Sequence, residues 1–193
     1  MSINLDKGEN IDLTKGNANL KSIRIGLGWD TNLYDGGHQF DLDASVFVTD
    51  ENDKCQSDKD FVYYKNLVHP SGAITHSGDN KDGNGEGDDE TIFMDLQKVP
   101  ASCEKVYVVA TIHDAVNRGQ NFGQVNNAYI RIVNEDTNEE IGRYDLVEDF
   151  SIETALVVGE VYRHKGEWKF KAIGSGYQGG LAALVERFGL SVA

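Results

Sequence analysis

Phe40-Asp41-Leu42-Asp43-Ala44-Ser45-Val46-Phe47-Val48 is the stretch that decides the fold of this 193-residue chain. Phe40, Leu42, Ala44, Val46 and Val48 recur at period two, the pattern of a β-strand that buries one face. Asp41 and Asp43 then share the opposite face at the start of the strand, about 6 to 7 Å apart along it. Two carboxylates at that spacing clamp a common cation or two adjacent ones, or else form an ordinary solvated face. Asp30, at the end of the preceding strand, is placed to converge with them.

Outward from this stretch the same period repeats. Upstream, Ile23, Ile25, Leu27 and Trp29 face one way and Arg24, Gly26 and Gly28 the other, predicting a half-buried strand that ends at Asp30. Ser2–Leu5 and Ile11–Leu13, each followed by a Lys-Gly turn, predict a hairpin or two successive edge pieces. Downstream, strands are expected at 61–64, 73–77, 91–95, 125–133 and 141–146. Val106–Ile112, the most apolar run, is expected at a sheet centre, with Asp114 at its end as a further ligand candidate. Ala155–His164 and Glu167–Ile173 predict a hairpin around Lys165-Gly166, and Gly174–Gly180 breaks the sheet pattern. Leu181, Leu184, Val185 and Phe188 recur at helical spacing, predicting a short C-terminal helix that stops at Gly189. Segments 50–60 and 117–124 are expected as a solvated acidic loop and a polar loop, and His113 as a packed imidazole. With about ten strands and no helix between them, the expectation is an all-β, antiparallel two-sheet β-sandwich with that helix appended, one domain over 1–193.

Between the strands at 73–77 and 91–95 lies Gly78 to Glu90, G-D-N-K-D-G-N-G-E-G-D-D-E: six carboxylates, two amides and four glycines against one lysine. Such a segment makes neither a core strand nor a stable helix, and its carboxylates repel one another unless a cation sits among them. Calcium takes six to eight oxygens from carboxylates, amides, backbone and water. Numbered from Asn80, the segment places Asp82, Asn84, Gly85 and Asp88 at positions three, five, six and nine of an EF-hand loop. Thr91 stands where the bidentate glutamate is required and no flanking helices are expected, so an EF-hand proper is not expected. A solvated acidic linker is the competing interpretation.

The net charge of −14 and pI near 4.6 argue against nucleic acid or an anionic membrane as a partner. Cys55 and Cys103 form no disulfide framework and no paired-thiol motif. The N-terminus lacks the features of a signal peptide and no apolar run approaches membrane-spanning length, so a cytoplasmic location without membrane insertion is expected.

F-D-L-D-A-S at 40–45, the 78–90 loop and N-R-G-Q-N-F-G-Q-V at 117–125 together resemble the TerD family of bacterial tellurium-resistance and stress-response proteins, over nearly the whole chain. The resemblance implies a cytoplasmic, non-enzymatic calcium-binding β-sandwich with ligands among Asp41, Asp43, Asp79, Asn80, Asp82, Asp88, Asp89 and Glu90. Asp30, Asn84 and Asp114 complete the candidate set, which holds enough carboxylates for two neighbouring ions, and other tellurite-resistance proteins are the expected partners. Two alternatives stand beside this: a metal-dependent enzyme acting on a phosphorylated small molecule with Arg118 and His113 near the cation, or a calcium-rigidified interaction scaffold. Direct reduction of tellurite is disfavoured, because no redox cofactor motif or paired dithiol is present.

Overall fold

In a computed structural model, the structure describes residues 1–30, 39–78, 87–146 and 150–192. The strands are β1 (Ile3–Asn4), β2 (Asn10–Asp12), β3 (Ser22–Gly28), β4 (Leu42–Thr49), β5 (Phe61–Val62), β6 (Ile74–His76), β7 (Glu90–Asp95), β8 (Lys105–Ile112), β9 (Tyr129–Asn134), β10 (Glu139–Asp145), β11 (Ala155–His164) and β12 (Glu167–Tyr177). Helix α1 spans Ala115–Arg118 and α2 spans Gly180–Arg187. The strands form two six-stranded sheets, ordered β1-β10-β9-β3-β7-β6 and β2-β12-β11-β8-β4-β5, a β-sandwich with a short C-terminal helix. Every pairing between these strands is antiparallel except that of β1 with β10, which is parallel. The N-terminal segment supplies an edge strand to each sheet, not a hairpin.

The alternating apolar residues of β3, β4, β7, β8 and β9 meet between the sheets: Ile23, Ile25, Leu27, Leu42, Val46, Ile92, Met94, Val106, Ile130 and Ile132 belong to one buried cluster. Contrary to the half-buried pattern expected for the deciding stretch, β4 begins at Leu42 and is buried along both faces. The reason is a second apolar layer on the outer side of its sheet. There Phe47 stacks on Phe61 (4.4 Å between ring centroids) and on Phe188 (4.5 Å), and Leu184 of α2 closes over Val109, Ala155 and Val157. Fully burying an aromatic or aliphatic side chain of this size contributes about 1.5–3 kcal/mol, so α2 is an integral third layer.

The strand expected to end at Ile173 continues to Tyr177. Two residues of β12 oppose one of β11 between the pairs Val157↔Ser175 and Gly159↔Ala172, and Gly174, with φ +66, supplies the left-handed backbone of that bulge. Segment 117–124 is also more ordered than a loop. It holds the end of α1 and a 3-10 turn at Phe122–Gln124, where Phe122 is buried and Asn121 and Gln124 cap each other.

Candidate functional site

The sheet registers bring the last residues of β3, β6 and β8 and the first residues of β4 and β7 to one end of the sandwich. Trp29 donates its indole N–H to the carbonyl of Phe40 (3.2 Å), tying β3 of one sheet to the approach to β4 of the other. His113 donates its backbone N–H to the carbonyl of Asp41 (2.8 Å), tying the end of β8 to the same place. Segment 79–86 is attached here, through Gly78 after β6 and Gly87 before β7. Asp79, Asn80, Asp82 and Asn84 lie outside the described residues.

Asp41 and Asp43 are both buried, with 8% and 7% exposure, where the strand pattern alone leaves them on an outer face. Asp43 Oδ2 lies 4.0 Å from His113 Nδ1. The imidazole itself is half exposed and does not pack as expected, because the chain turns outward at Asp114, whose φ is +51.

The three acidic residues at the head of β7 have three different environments. Asp88 lies across the outer face of β3, where it accepts hydrogen bonds from Arg131 Nε (2.7 Å) and Tyr129 Oη (3.1 Å). Gly26 makes room for it: a Cβ there would come within 2.1 Å of Asp88 Oδ2. Burial, with the Asp88 charge beside it, pushes the Tyr129 phenol up to about 12. Asp89 accepts the backbone N–H of Trp29 (3.0 Å) and donates its own N–H to Leu27 (2.9 Å), fastening the loop's exit to the end of β3.

Glu90 points between the sheets and is 1% exposed. It accepts the backbone N–H of Ala44, while His76 Nε2 donates to the carbonyl of Ala44 (2.9 Å) and stands 3.6 Å from the Glu90 carboxylate. The neighbouring strand β5 reaches only Val46 and Phe47, so these two side chains serve Ala44 where the ladder has stopped. Burial opposes a charge on His76, but the hydrogen bond and negative charge of Glu90 outweigh it and raise the imidazole above its usual range. Against this, Gly78 donates its backbone N–H to His76 Nδ1 (2.9 Å), a contact open only to the neutral ring. The hydrogen-bond geometry describes the neutral tautomer with its proton on Nε2; protonation would exchange the Gly78 contact for an ion pair with Glu90.

The remaining candidates sit at the same end but apart. Asp30 is exposed, accepts from Asn127 Nδ2 and donates its N–H to the carbonyl of Asn126 (3.1 Å). Asp114 is folded back on its own helix, accepting from Asn117 Nδ2 (2.6 Å), with Arg118 Nε 4.0 Å away. Among the described residues, no three His, Cys, Asp or Glu side chains converge as a metal cage.

One array escaped the sequence pattern. His69 Nε2 lies 2.9 Å from Asp60 Oδ1 and His69 Nδ1 lies 2.7 Å from Ser71 Oγ. Asp60 Oδ2 also accepts the backbone N–H groups of Gln56 and Ser57, and Ser71 Oγ accepts that of Ala73. The array thus anchors the connection from the 3-10 turn at Asp58–Asp60 to β6; segment 50–60 is largely exposed, as expected, but carries that capped turn and the buried Cys55. The turn's only advance signal was the Ser57-x-x-Asp60 spacing of a capping box.

The comparisons with known proteins agree with this architecture. General stress protein 16U of Bacillus subtilis (strain 168) is 60% identical over 192 residues, covering 100% of both chains. Tellurium resistance protein TerD of Serratia marcescens is 49% identical over 193 residues, again covering 100% of both. The crystal structure of a homologue of telluride resistance protein (TerD) from Streptomyces coelicolor A3(2) superposes with a TM-score of 0.69 at 24% identity, covering 86% of this chain and 95% of that one, a likeness of fold. The TerD domain profile matches residues 1–188, and the chain belongs to the TerD domain family.

Proposed function

We propose that the protein is a non-enzymatic, calcium-binding member of a bacterial stress-response system of the kind that includes tellurite resistance, working in the cytoplasm alongside other proteins of that system. The observation that carries this reading is the pair of buried carboxylates, Asp41 and Asp43, at the end of the sandwich where segment 79–86 is attached. That segment adds Asp79, Asn80, Asp82, Asn84 and Glu86, a donor set made entirely of oxygen, which suits a hard cation of high coordination number and does not suit zinc. Asp41, Asp43 and the 79–86 donors would hold the ions, with Asp89 beside them. Bound calcium would neutralise mutually repelling carboxylates and crosslink β4 to the loop. Asp88 and Glu90 are given the supporting task instead, since Arg131 and the Ala44 amide already engage them. Among the described residues no helix is long and apolar enough to cross a membrane. The stress and tellurium functions come from the names of relatives and are carried over as part of this proposal.

Calorimetric titration of metal-free protein with calcium and magnesium tests the reading. Calcium is expected to bind with clear preference, because a glycine-bearing, oxygen-rich donor set supplies seven- or eightfold coordination more readily than a compact octahedron. Equal affinity for the two ions, or no heat with either, would refute it.

A further inference from the structure

A cavity of about 350 Å³ opens on the outer face of the second sheet, lined by Lys7, Lys105, Lys171 and Arg187 together with Tyr107 and Tyr177. The four cations come from four separate elements: the turn before β2, the start of β8, the middle of β12 and the last turn of α2. The chain carries 18 Lys and Arg against 32 Asp and Glu, yet this wall has four cations to one carboxylate, Glu160. A concentration of one sign against the average of the whole protein needs a counter-charge or a ligand.

The protein supplies part of that counter-charge: Glu160 stands directly opposite Lys171 in the β11–β12 ladder. Asp53 takes Lys105 Nζ and Tyr107 Oη, each at 2.8 Å. Arg187 donates Nε–H to Tyr177 Oη (2.7 Å), which orients its guanidinium, and it forms no ion pair with a carboxylate among the described residues. Neither Lys7 nor Lys171 forms an ion pair among the described residues. Two lysines outside any ion pair among the described residues and an oriented guanidinium, lining one concave space against the single Glu160 carboxylate, make a donor set that recognises a phosphate-type oxyanion.

We infer that this cavity is an anion-binding site for a phosphate group, either free or as the monoester of a small molecule, held by Lys7, Lys171 and Arg187. An extended nucleic acid or an anionic bilayer does not fit, because both would meet the strongly acidic remainder of the surface. The site shares no residue with the calcium end of the sandwich.

The test uses the full-length protein, isotopically labelled, titrated with glucose 6-phosphate and separately with inorganic phosphate while backbone amide shifts are followed at constant ionic strength. Saturable shifts at Lys7, Lys105, Lys171 and Arg187 are expected, with Lys7→Ala and Lys171→Ala each weakening binding roughly tenfold and Lys98→Ala, a control at an exposed lysine, leaving it unchanged. Tighter binding of the ester identifies a phosphorylated small molecule as the occupant; equal binding identifies free phosphate. Shifts that fail to saturate, that sodium chloride reproduces, or that survive both lysine substitutions would overturn the inference. Groove shifts that follow protein concentration in place of added phosphate would overturn it in favour of a second copy's acidic segment.

Discussion

Replacing Gly26 by alanine probes how the acidic loop is fastened to the sandwich. The added Cβ would lie 2.1 Å from Asp88 Oδ2 and 2.2 Å from its Cγ, against a comfortable separation of about 3.5 Å. The Asp88 carboxylate must therefore retreat by more than about 1 Å, and its 2.7 Å bond to Arg131 Nε is broken. A hydrogen bond between charged groups contributes about 1.5–3 kcal/mol. That figure is discounted here because Arg131 is 26% exposed and water can replace its partner. Removing a glycine from a strand returns roughly 0.5–1 kcal/mol, so the net cost of Gly26→Ala is about 1–2 kcal/mol. In an Asp88→Ala background the obstructing carboxylate is gone and the same substitution should instead stabilise by roughly 0.5–1 kcal/mol, the glycine effect alone, a coupling of at least about 1 kcal/mol. Urea unfolding of the four proteins, followed by circular dichroism, measures the cycle. An equal cost in both backgrounds would refute the claim that Gly26 exists to seat Asp88.

Three further outcomes follow from the geometry. Leu184→Ala, at a position with 0% exposure in α2, should cost about 2–5 kcal/mol in urea unfolding; a cost below about 1 kcal/mol would show that α2 is not a true layer. His76 is raised by Glu90 against the opposing effect of burial, so its pair stabilises the fold below the unfolded imidazole value near 6.5 and this contribution is lost as pH rises through the higher folded value. The Gly78 amide resonance should therefore titrate together with the His76 ring, and a Gly78 signal that ignores the titration would disprove their contact. Burial pushes the thiols of Cys55 and Cys103 up to about 12, so neither should react with a thiol reagent at neutral pH until the chain is unfolded, and labelling in the native state would contradict their enclosure.

Much of the sandwich could be seen locally, because the inward-facing runs of β3 and β9 carry their own alternation and β8 is a continuous apolar run. What could not be seen depends on partners far along the chain. β4 is buried on its second face by Phe188 and Leu184, about 140 residues away, and no local pattern announces that cover. Gly174 looks like a strand breaker in sequence but forms a bulge because β11 opposes it with one residue fewer. The candidate site shows the same division. Its position was legible, since the carboxylates cluster at strand ends that the sheet registers bring together. The separate duties of Asp88, Asp89 and Glu90 were not, since they are set by Arg131, Trp29 and Ala44, all distant in sequence. His76 gave no signal at all, being a lone histidine in a short strand.

The central claim, that Asp43 and the acidic segment share calcium, is tested most directly by calorimetric calcium titration of Asp43→Asn beside Asp58→Asn, with circular dichroism establishing that both are folded. The two substitutions remove the same charge, one from a buried carboxylate at the candidate site and the other from an exposed turn. The account predicts roughly tenfold weaker calcium binding for Asp43→Asn and little change for Asp58→Asn; matched affinities in the two variants would contradict it.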